Sequence, residues 1–211
     1  MHIKENLSSA AQDLAGVQAA YANRGISLSE LALCGAKEFV EWQHYPNNDL
    51  VDAISGYEFY YHSHSSDEMP KGEHGHFHLF KRHATNPEKF HHLIGIALDP
   101  KGVPVRIFTT NQWVTGESLL AASTVLRLLK NFNVLAKGRM SPLAKWINAF
   151  TKLFYAEMEK LIVERDRVIE NLVKEMGSRS VALESKKHHV VTQCKIDLMQ
   201  GLSKHLSASN Q

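Results

Sequence analysis

A chain of 211 residues with 44% hydrophobic and 22% charged side chains has the size and composition of one globular domain with a core of its own. Its net charge of +2 with histidines neutral excludes the strong basic field that draws a protein to nucleic acid. No apolar run approaches the roughly 20 residues that span a bilayer, and the first residues lack the apolar region of a signal peptide, so neither nucleic acid nor membrane is an expected partner.

Apolar residues recur at helical spacing over 6–23 (Leu7, Ala10, Ala11, Leu14, Val17, Ala20, Tyr21), and Gly25 follows where a C-terminal cap belongs. A second helix is expected over about 29–41. Trp42-Gln-His-Tyr-Pro46 leaves it, because the residue before a proline disfavours the α region. Asn47-Asn-Asp49 is turn chemistry. Four strands are expected over about 57–64, 73–82, 91–98 and 103–114, the last two joined by the turn Asp99-Pro-Lys-Gly102. Short connections favour sequential antiparallel neighbours, hence a four-stranded meander. Helices resume at 115. Ser141-Pro142 opens a long stretch, 142–176, with a near-heptad seam that includes Leu161 and Val168, and a last helix is expected over 180–206.

The expected fold is α+β, a single domain over 1–211: helical over 1–55, sheet over 56–114, helical over 115–206, the sheet packed against the N-terminal and C-terminal helices. The two last helices suit an antiparallel pair or a homodimer. Cys34 and Cys194 stand outside any CxxC pair, as thiols of a reducing compartment do, so a cytoplasmic setting is expected.

Of thirteen histidines, nine fall between His44 and His92. His62 and His64 alternate at the end of the first expected strand, and His74, His76 and His78 alternate in the second. Alternate residues of a strand share a face, so a hairpin in register would set all five on one side of the sheet. Tyr57, Phe59 and Tyr61 would take the other side, toward the helices. The smaller Gly95 and Ala97 of the third strand would leave room beside the imidazoles. Three imidazoles on neighbouring strands can converge on one ion and leave a position open, as a catalytic zinc, iron, copper or nickel ion requires. His62, His64 and His76 are the first-choice ligands, with His74 and His78 as alternates. Glu73 and Glu117 are the candidate general bases or carboxylate ligands. His44, Tyr60, Arg106, Asn111 and Trp113 are candidate lining residues of a histidine-lined pocket.

A bound small molecule without turnover fits the same pocket. So does a helical interaction protein in which the histidines are structural and residues 142–206 are the working surface. The run His74-Gly-His-Phe-His-Leu-Phe80 also resembles the histidine-triad motif of nucleotide hydrolases and transferases, which would make His76 a nucleophile on phosphorus; Gly75 departs from the apolar residue found there.

Three segments, Glu41-Trp-Gln-His-Tyr-Pro46, Glu73-His-Gly-His-Phe-His-Leu-Phe80 and Asn111-Gln-Trp-Val-Thr-Gly-Glu117, together resemble an uncharacterised bacterial family, a domain of unknown function. The resemblance covers about residues 38–166 and implies one domain in a bacterial cytoplasm. It carries no activity.

Overall fold

Helix α1 (His2–Ala22) buries the stripe Ala10, Ala11, Leu14 and Val17, and Gly25 turns the chain at φ 69°. The computed structural model describes residues 2–65, 67–86 and 88–206, with side chains from Leu7 onward. Helix α2 (Leu28–Ala32) starts on a capping box in which the Ser27 hydroxyl accepts from the Glu30 N–H and the Glu30 carboxylate accepts from the Ser27 N–H. It stops after five residues, not near 41. Cys34 and Gly35 take φ of 52° and 97°, a left-handed backbone that an α-helix cannot continue.

Freed from that helix, the chain forms strand β1 (Tyr45–Val51) where only turn chemistry was expected. Strands β2 (Tyr57–His62), β3 (Gly75–Arg82), β4 (Phe90–Leu98) and β5 (Pro104–Thr110) are the four expected ones. After β5 come α3 (Gln112–Thr115), α4 (Ala122–Lys130), α5 (Ser141–Leu153), α6 (Tyr155–Met176), α7 (Arg179–Leu183), strand β6 (Val190–Lys195) and α8 (Leu198–Leu206). The sheet therefore has six antiparallel strands, not four, in the order β1-β2-β3-β4-β5-β6. The segment 180–206 is not one helix. The β-branched run Val190-Val-Thr192 pairs with the free edge of β5, Thr109 opposite Thr192, as such residues favour. The stretch 142–176 is also divided, at Phe154, whose φ of −103° and ψ of 20° are not helical.

Phe59, Tyr61, Phe77, Ile94, Ile96 and Ile107 form the core face of the sheet, all fully buried. Against it pack Trp146 and Phe150 of α5 and Met158, Leu161 and Ile162 of α6. Burying each large apolar side chain contributes about 1.5–3 kcal/mol. Met158, Leu161 and Ile162 of the α6 seam thus lie in the chain's own core, where Leu161 O also accepts from the Thr192 hydroxyl at 2.9 Å. Among the described residues, no helix is long and apolar enough to cross a membrane.

Candidate metal centre

Strand pairing sets the geometry of the opposite face. Tyr60 lies opposite His78 and His62 opposite His76 across β2 and β3. In β4, Gly95 and Ala97 stand opposite His78 and His76. The space over Gly95 is not open, because Phe108 of β5 lies opposite it and fills it. The Phe108 ring stands edge-on to His76 and His78, with centroids 5.2 and 5.7 Å away. Tyr60 and Phe80 close the other side.

Within this layer of rings, His62, His76 and His78 each offer a nitrogen, and the three atoms lie within 4.8 Å of one another. Among the described residues this is the one histidine, cysteine or carboxylate group so arranged. His62 Nε2 and His76 Nε2 are 2.8 Å apart. Two nitrogens bound tetrahedrally to one ion at about 2.0–2.1 Å lie roughly 3.3 Å apart, so this pair would open by about half an ångström to share an ion, with His78 within 4.8 Å of both. His76 Nδ1 is buried with no partner.

Burial holds these imidazoles neutral. His62 is pushed down to about 3, by burial first and then by His64 and His44. Burial lowers His76 and His78 well below the usual histidine range, helped by their neighbouring imidazoles. At neutral pH each ring is uncharged and keeps one lone pair; one of the two Nε2 atoms in contact carries the bridging proton, which would move to that ring's Nδ1 before both could bind an ion.

A fourth histidine, His92, joins the row. Its Nε2 is 2.9 Å from His78 Nδ1, and its Nδ1 is 3.1 Å from Thr110 Oγ1. Its backbone N–H donates to Glu117 Oε2 at 2.6 Å. His92 shares parity with Ile94 and Ile96, which point into the core. A bulge between Leu79 and Phe80 places it opposite Phe80, on the histidine face. Alternation alone conceals it.

The other expected site residues divide. His64 lies just beyond β2, its ring 5.0 Å from His62 and 5.2 Å from His76, and tilted against the exposed Trp42 at 4.2 Å. His74 precedes β3, so strand alternation does not hold it. It turns to the core side, bonding the Tyr61 hydroxyl at 2.9 Å and packing on Phe39, and the His-x-His-x-His run does not share one face. His44 stacks on Tyr60 at 3.7 Å and bonds Asp49.

Glu73 is held by Arg106 through both oxygens, at 2.5 and 2.7 Å, and the Arg106 guanidinium lies over Phe108. Asn111 caps α3 and donates to Ala182 O. Trp113 Nε1 is buried without a partner. Glu117 is pushed up to about 8, by burial against the opposing His92 N–H and Arg165, so its carboxyl is protonated at neutral pH.

The sequence around all these residues falls within a single family model, described as Domain of unknown function (DUF6969), that matches residues 8–196. The chain belongs to DUF6969. No curated protein and no solved structure matches it. All six strands, from β1 to the end of β6, lie inside the DUF6969 region, and with them every imidazole of the layer.

Proposed function

We propose that the protein binds a divalent transition-metal ion through His62, His76 and His78. One observation carries this reading: three neutral, buried imidazoles from adjacent strands whose nitrogens lie within 4.8 Å. All-imidazole sets suit zinc, iron, copper or nickel. Three protein nitrogens would leave a coordination position for water or a substrate atom, the arrangement of a catalytic site rather than of a closed structural one.

A second reading has a specific observation behind it. His62 and His76 already hydrogen-bond each other, and the three rings meet edge to face, so the layer is also consistent with a structural imidazole cluster that needs no ion.

Elemental analysis separates the two. Untagged protein purified without chelator is expected to carry near-stoichiometric zinc, iron, copper or nickel, and a folded His62→Ala/His76→Ala variant to carry none. Wild-type protein that is empty and takes up none of these ions when they are added would leave the structural cluster.

A further inference from the structure

We infer that His92 is a positioning residue of this centre: it accepts the Nδ1–H of His78 and so fixes which nitrogen of His78 meets the ion. The inference rests on the metal reading above. A metal-bound imidazole keeps one N–H, which needs an acceptor; such outer partners fix the tautomer and ring orientation.

His78 Nδ1 has its partner in His92 Nε2 at 2.9 Å, which leaves Nε2 for the ion. With Nε2 accepting, neutral His92 carries its proton on Nδ1 and donates it to Thr110 Oγ1 at 3.1 Å. The donor chain therefore runs in one direction, from His78 to His92 to Thr110. His92 is itself fixed, because its backbone N–H donates to the buried Glu117 carboxyl at 2.6 Å. His92 and Thr110 are each 2% exposed, so no water replaces either partner without rearrangement.

Cobalt(II) titration of the full chain, read by visible absorption, tests this. Wild type is expected to take up one equivalent. His92→Ala is expected to bind cobalt about 10- to 100-fold more weakly with an altered absorption band. His92→Gln, whose carbonyl oxygen reaches the place of Nε2, is expected to recover most of the affinity. Thr110→Val, close in shape to threonine, leaves His92 in place and is expected to weaken binding less than His92→Ala does. A merely structural role would lower stability without moving the band. His92→Ala or Thr110→Val, folded by circular dichroism, with the wild-type affinity and band would overturn the inference and leave the metal reading standing. So would His92→Gln binding no better than His92→Ala. Wild type that takes up no cobalt would remove the metal reading itself, and the inference with it.

Discussion

Between β4 and β5, Gly95 lies opposite Phe108, and a Cβ at that position would overlap the phenyl ring. The glycine is what lets the ring sit over β4 beside His76 and His78. In the sequence a small residue there reads as vacant space. Vacancy depends on what the next strand supplies, and that strand supplies Phe108. Gly95→Ala is expected to push the ring outward and to cost about 1–3 kcal/mol by overpacking, seen as a lower urea midpoint with an unchanged m-value. A midpoint equal to wild type would show that the ring is not held there.

At the scale of elements, β2 to β5 and the phase of His62, His76 and His78 are legible because alternation in a strand is local. His92 is not legible, because a bulge is decided by the partner strand. His74 is not legible either, since it lies one residue outside its strand. Strand β6 is the largest departure. Its residues carry enough apolar spacing to pass for a helix, and only the open edge of β5, far off in sequence, selects the strand. Threonines join that edge to α6: Thr109 and Thr192 share a hydroxyl bond of 2.7 Å, and the Thr192 hydroxyl donates to Leu161 O. Thr192→Val keeps the shape and removes both bonds. It is expected to cost about 1–3 kcal/mol, because buried polar groups lose their partner, in the same urea assay. Wild-type stability would show that β6 is held by its backbone ladder alone.

For the whole molecule, the buried titratable groups make stability of the ion-free protein depend on pH in two opposed ways. Unfolded histidines take protons near pH 6.5, whereas folded His62 and His92 take them only near 3. Between those values unfolding binds protons, so stability falls as pH drops from 6.5, by about 1.4 kcal/mol per pH unit for each group. Glu117 has the opposite sign. Its folded pKa is about 8 against 4.5, so its contribution is whole below 4.5 and is lost as pH rises toward 8. Urea unfolding across pH is expected to give a maximum near 6.5, with Glu117→Gln removing the decline above it; a wild-type profile flat from pH 6.5 to 8 would contradict the assignment for Glu117.

The central claim is that one ion is shared by His62, His76 and His78. Anomalous diffraction at the zinc edge from crystals grown with zinc tests it most directly. The expected result is a single strong peak about 2.0–2.1 Å from one nitrogen of each imidazole, with His62 and His76 moved apart. No peak at this face, with His62 Nε2 and His76 Nε2 still in hydrogen-bond contact, would contradict it.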